Sequence, residues 1–227
     1  MTTIDIVEPS APPAEKPKPK SAFAKMCGEP KVANMSKIKA DNLLFDACKT
    51  GNLDDAKKAV ACGADINLVR DYRTPLIWAS IEMRLDIIEY LAELDVDVNK
   101  IVDGETALSH AVECGFPTVA KMLIRHGAEV NGVFENGLTI LCRVARTDNV
   151  ELAKVLIKYG GAKIDYQVPE TKMYPLYIAF SKSKMEMGKL LLGLGAKWSG
   201  EVRNGKSAWS EFGSDVQGLI KKHSRHY

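Results

Sequence analysis

Long apolar runs are missing. The longest, residues 75–81 and 190–194, fall far short of the ~18 residues that a membrane-spanning helix needs, which excludes an integral helical membrane protein. Cysteine is sparse and unpaired. Cys27, Cys48, Cys62, Cys114 and Cys142 form an odd, scattered set with no C-x-x-C, which argues against a disulfide framework and for a reducing, intracellular compartment. The cytoplasm is the default and an organelle stays open. Met1 to Ser10 hold Asp5 and Glu8 but no basic residue and no apolar core, unlike a secretory signal or an Arg-rich transit peptide. A charge excess is lacking too: the formal net charge is +2, where a generic nucleic-acid binder usually exceeds a pI of about 9. No phosphate-cradling Gly-rich loop, H-E-x-x-H or G-x-S-x-G occurs, so the usual starting points for a catalytic site or a cofactor are absent.

What is present is ordinary core-forming material. The 227 residues are 46% apolar and 26% charged, and a chain of this length buries roughly 70% of its unfolded surface without help from disulfides or metals. The near-zero charge hides an internal polarity. Residues 41–142 hold 9 basic and 17 acidic groups, a net of −8, whereas residues 143–200 hold 10 and 5, a net of +5.

Self-similarity at a fixed period dominates the middle of the chain. Ala47, Ala79 and Ala111 are 32 residues apart, as are Asn67, Asn99 and Asn131. Leu44, Leu76, Leu108, Leu141 and Leu176 step by 32, 32, 33 and 35. Gly63-Ala64, Gly127-Ala128, Gly160-Gly161 and Gly195-Ala196 each close an apolar helical pattern. Thr74-Pro75-Leu76 with Ala79, followed by Leu85, Ile87, Ile88, Tyr90 and Leu91, is a complete unit of cap, helix, turn and second helix. Threonine caps the helix that proline opens, because proline lacks the N–H that would go unpaired there. Asn42, Thr106 and Thr139 occupy the same capping slot.

These residues resemble the ankyrin repeat over residues 41 to about 200. The resemblance implies an all-α repeat solenoid of stacked helix-turn-helix units with short β-hairpin fingers. Five repeats are expected over residues 38–200, with residues 201–227 as a degenerate capping repeat and basic end, and residues 1–37 as an extended tail. Departures are visible. Asp95-Val96 replaces Gly-Ala, and Met83, Asp148 and Ser183 replace the mid-repeat glycine found at Gly51 and Gly115. The fourth exit carries extra residues including Pro169, which predicts a longer finger.

Residues 1–37 are a different material. Pro9, Pro12, Pro13, Pro17 and Pro19, interleaved with Lys16, Lys18 and Lys20, favour an extended solvated chain. Ile4, Ile6 and Val7 alternate well enough to add a strand to a partner's sheet, and with Phe23 they are candidate anchors on a neighbouring protein.

Candidate chemistry is thin. His110 and Cys114 lie four apart and share a helix face, but two ligands do not close a zinc site. No metal, cofactor, catalytic residue or small-molecule substrate is expected. Resemblance to ankyrin repeats instead implies protein binding through a concave groove lined by fingers and first helices. Carried onto this sequence, that pattern selects Arg70, Tyr72, Arg73, Asp103, Phe134, Glu135, Lys172 and Met173 on the fingers. It selects Ile81, Glu82, Glu113, Arg146 and Lys182 on the helices. Tyr72, Ile81 and Phe134 are the expected anchors, since hot spots favour buried aromatic or Arg groups over rim charges. The expected role is an accessory subunit of a larger stable assembly, held by the groove and the tail. The alternative is a transient adaptor or inhibitor that masks a partner's surface through the groove alone.

Overall fold

Helices come in pairs, each pair anchored by one leucine of the 32-residue rhythm. The computed structural model describes residues 35–134, 137–168, 173–198 and 212–224. The first helices of the pairs are α1 (Lys37–Thr50), α3 (Pro75–Ile81), α5 (Ala107–Glu113), α7 (Ile140–Val144) and α9 (Pro175–Ser181). The second helices are α2 (Leu53–Ala61), α4 (Leu85–Glu93), α6 (Pro117–Arg125), α8 (Val150–Gly160) and α10 (Met185–Gly193), and α11 (Ser214–Ser224) follows. First helices pack on first helices and second on second along the stack. Among the described residues β-pairing is confined to isolated bridges at the fingers, so the fold is the all-α solenoid expected.

Packing explains the period. Leu44, Leu76, Leu108, Leu141 and Leu176 are all buried, and Ala47, Ala79, Ala111 and Ala179, one turn later, are small enough to let the next helix approach. In the fourth pair Val144 takes the alanine slot and α7 is only five residues long. Second helices bury an i, i+1, i+4 set: Ile87, Ile88 and Leu91, then Val119, Ala120 and Leu123, then Leu152, Ala153 and Leu156, then Met187, Gly188 and Leu191.

The repeated asparagines are ties between units. Asn67 Oδ1 accepts from the Asp97 N–H at 2.8 Å, Asn99 Oδ1 from Glu129 at 2.8 Å, and Asn131 Oδ1 from Lys163 at 2.8 Å. Their amide groups donate to the carbonyls of Asp95, Gly127 and Gly161 at 3.4, 3.0 and 3.1 Å. Each side chain therefore brackets the exit loop of the following unit. Asp165 continues the series as an acceptor only, taking the Lys197 N–H at 2.9 Å.

Capping follows the sequence with one correction. Thr74, Thr106 and Thr139 accept from the N–H groups of Ile77, Ser109 and Cys142. Asn42 caps nothing, because α1 begins at Lys37 and runs through it; the first helix is longer than its counterparts at its N-terminal end. Where glycine is missing from the mid-repeat turn, Met83 (φ 53°) and Ser183 (φ 57°) hold the left-handed backbone themselves. Asp148 does not; there the Thr147 hydroxyl bonds the Val144 carbonyl at 2.8 Å and turns the chain by another route. Without glycine at position 95, α4 ends on Leu94 in extended backbone.

The far end closes on aromatics. Phe212 meets Tyr177, Phe180 and Trp198 edge-on at 5.8, 6.0 and 5.6 Å, and Val216 and Ile220 of α11 are buried with them.

Candidate functional site: the finger and first-helix face

Two fingers are tight hairpins. Arg70 and Arg73 exchange backbone hydrogen bonds at 2.9 and 3.0 Å across Asp71 (φ 49°) and Tyr72 (φ 57°). Val102 and Glu105 do the same at 2.9 and 3.0 Å across Asp103 (φ 53°) and Gly104 (φ 75°). Two central residues at positive φ make this the hairpin turn whose twist matches its strands, and Asp-Gly is the sequence that suits it. Tyr72 stands where the next finger has glycine. A bulky L-residue there costs roughly 1–2 kcal/mol of backbone strain, and its ring recovers nothing from the fold, being 75% exposed. The third finger pairs Phe134 with Leu138 at 3.1 Å, and the fourth pairs the Val168 N–H with the Met173 carbonyl at 2.8 Å.

Several expected contact residues are committed internally. Arg70 lies over the Phe45 ring at 4.8 Å and donates to Asn42 Oδ1 at 2.6 Å. Arg73 and Lys49 both lie over the Trp78 ring, at 4.5 and 4.4 Å. Ile81 is half-buried against the core, as is Met173. Phe134 is half-buried beneath the Arg143 guanidinium, 4.1 Å from its ring centre. Glu113 is exposed and reaches Arg143 at 3.3 Å and His110 at 4.0 Å. Glu82 is exposed beside Arg84 at 3.8 Å. Asp103, Arg146 and Lys182 are exposed. Glu135, Lys172, Ile4, Ile6, Val7 and Phe23 lie outside the described residues.

Sequence reasoning missed the centre of this face. Arg143 binds Glu105 at 2.7 Å across neighbouring units, with both side chains largely buried. Burial raises the Glu105 pKa, but the Arg143 and Ser109 hydrogen bonds and the Arg143 charge outweigh it and hold the carboxyl below its ordinary range. Burial pushes the neighbouring His110 below its usual value, against the pull of Glu113 and Glu105 and with the repulsion of Arg73 and Arg143. The available signal was phase: Trp78, His110 and Arg143 all stand two residues past the repeat leucine, on the helix side that faces the fingers.

Among the described residues no group of three or more His, Cys, Asp and Glu side chains is placed to hold a metal ion. Burial raises the Cys48 thiol to about 12 and also raises Cys142, while burial and then Glu113 and Glu82 raise Cys114, so none of the three is an activated nucleophile.

A family model described as ankyrin repeats, three copies, matches residues 44–134. Those residues are ankyrin repeats. Curated relatives agree. An ankyrin repeat and KH domain-containing protein, mask-1, of Caenorhabditis elegans is 28% identical over 61% of this chain and 6% of its own length. The palmitoyltransferase AKR1 of Lachancea kluyveri is 29% identical over 64% of this chain and 21% of its own. An ankyrin repeat and SAM domain-containing protein of Rattus norvegicus is 33% identical over 50% of this chain and 13% of its own. The chain thus spans at most about a fifth of these relatives, and what their names describe belongs to them. Ankyrin repeats are a protein-binding, non-catalytic fold. Among the described residues no helix is long and apolar enough to cross a membrane.

Proposed function

We propose that this chain is a non-enzymatic interaction scaffold and an accessory subunit of a larger stable assembly, docked through the finger and first-helix face and anchored by residues 1–37. One observation carries the reading: Tyr72 holds an exposed aromatic ring at a fingertip in a backbone conformation that glycine would adopt at lower cost. Strain of that kind clusters at functional sites and clamps. The surroundings favour tight docking. The hairpins and the Arg143–Glu105 tie hold the fingers in place before a partner arrives, so little conformational freedom is lost on binding. Glu82 and Glu113 on earlier units and Arg146 and Lys182 on later ones set the polarity of the partner surface. Phe134 contributes through the Arg143 that covers it.

Capture from native extract tests this with full-length protein, a form lacking residues 1–34 and the Tyr72→Ala variant. Deletion there leaves Ser36 and all of α1 in place. Full-length protein is expected in a fixed-ratio complex that the deletion fails to join, with Tyr72→Ala weakening capture by about 30-fold, the equivalent of about 2 kcal/mol. Equal, weak capture by all three forms refutes the subunit reading and leaves a transient adaptor.

A further inference from the structure

Three guanidinium groups stack on rings along the finger and first-helix face, and they differ in what meets their edge. Stacking uses the flat side of a guanidinium and leaves the N–H groups of its edge to donate. Arg70, over Phe45, donates Nη1 to Asn42 Oδ1 at 2.6 Å. Arg143, over Phe134, forks Glu105, with Nη1 to Oε2 at 2.8 Å and Nη2 to Oε1 at 2.7 Å. Arg73, over Trp78, gives its edge to nothing in the fold. Its Nε is buried with no acceptor, and among the described residues its side chain makes no hydrogen bond and no ion pair.

A second cation shares that ring. Lys49 Nζ lies 4.4 Å and the Arg73 guanidinium 4.5 Å from the ring centre, so no more than about 9 Å separates the two charges. Lys49, Trp78 and Arg73 are all half-buried, where solvent screens charge less than at the rim. The ring attracts each cation but cancels neither charge. Acids in this region are engaged elsewhere or stand apart. Glu82 lies by Arg84 and Glu113 by Arg143, while Asp46 and Asp71 are exposed and pair with neither cation. Trp78 therefore claims the face of Arg73 and leaves its edge.

We propose that the Lys49–Trp78–Arg73 cluster binds an aspartate or glutamate side chain of a partner protein, seated against the edge of Arg73 beside the Lys49 ammonium. Charge selects the acid, and the fold itself shows the geometry: Arg143 stacks on a ring and forks a carboxylate at the same time. A carboxylate brings two acceptor oxygens and a negative charge, where a neutral amide brings one oxygen and no charge. Arg73 is also held in place beforehand, by the backbone hydrogen bonds that it exchanges with Arg70 at 2.9 and 3.0 Å, so little freedom is lost on binding. This inference rests on the docking reading above and names the partner's chemistry at the first finger, next to Tyr72.

Nitrogen–proton NMR of the full-length chain tests it, titrated with a capped Ala-Leu-Glu-Leu-Ala peptide at millimolar concentration. Saturable shifts are expected at the Trp78 indole N–H and at the Arg73 Nε–H, the latter identified by its loss in Arg73→Gln. Read at Trp78, Arg73→Gln and Lys49→Gln should each weaken binding about tenfold, and Arg73→Lys, which keeps the charge but not the fork, should weaken it less. Lys121→Gln removes the same charge from over the Tyr159 ring, on a second helix, and should change nothing. Neither Arg73 nor Lys49 holds a side-chain hydrogen bond in the fold, so circular dichroism and the unfolding midpoint should move little. The same peptide with glutamine for glutamate should leave both signals still. Equal shifts with the glutamine peptide, indifference to the Arg73 and Lys49 changes, an equal loss with Lys121→Gln, or tighter binding of inorganic phosphate than of the peptide overturns the proposal. So does a tenfold gain in affinity when residues 1–34 are removed, because an acid of the chain's own segment would then be the occupant. Should the peptide fail while Tyr72→Ala still weakens capture from extract, this inference alone fails; should both fail, the docking reading of the face fails with it.

Discussion

Gly188 and Gly218 invite the same substitution and should answer with opposite signs. Both sit inside helices, α10 and α11, and neither has positive φ. Helix propensity alone says that Gly→Ala stabilises each by about 1 kcal/mol. At Gly218 a Cβ would meet nothing within 4 Å, so Gly218→Ala should realise that gain. At Gly188 the added carbon would overlap the Phe180 ring. Phe180 is 4% exposed and its ring rests on Phe212, so it yields only by disturbing that contact. Overpacking of this kind costs about 1–3 kcal/mol, which offsets or exceeds the propensity gain and leaves Gly188→Ala destabilised by up to about 2 kcal/mol. Urea unfolding followed by circular dichroism reads the first effect, and amide exchange in α11 reads the second. If Gly188→Ala also stabilises, the ring yields and the close approach of α9 to α10 is not what glycine is there to permit.

The asparagine ties should be separable by chemistry. Asn99→Ala removes both cross-unit hydrogen bonds and should cost about 1–2 kcal/mol in urea unfolding, whereas Asn99→Asp keeps the acceptor that Asp165 also uses and should cost about half as much; equal costs would mean the donor contributes nothing. His110 should give stability a pH slope. Its folded pKa lies below the ordinary 6.5, so as pH falls through that value the unfolded chain takes up the proton first and stability drops, while at neutral pH the full stability is present. His110→Gln should flatten that window, leaving the loss at lower pH where Glu105, also held below its ordinary range, is protonated and releases Arg143. A pH profile unchanged by His110→Gln refutes the burial argument.

Much of the stack was legible because repetition turns one local observation into five. Leucine, alanine and asparagine recur at the period because each performs a contact that every unit must make with the next, so their spacing announces the fold. Capping was legible at Thr74, Thr106 and Thr139 for the same local reason, and misread at Asn42 because α1 begins earlier, at Lys37, and runs through it. The candidate face was less legible. Tyr72, Asp103, Arg146 and Lys182, which the resemblance selected, are exposed.

What the amino-acid order determined by itself is therefore the repeat, the helix pairs and the turns, all set by interactions a few residues apart or by strict periodicity. What only the tertiary structure decided is which groove residues remain free. Arg70, Arg73 and Phe134 looked available in sequence, yet Phe45, Trp78 and Arg143 claim them. Those partners lie 5 to 25 residues away, and Arg143 meets Glu105 across 38. The Arg70–Phe45 and Arg143–Glu105 contacts arise from stacking one unit on another, and no local pattern encodes which side chain reaches across first.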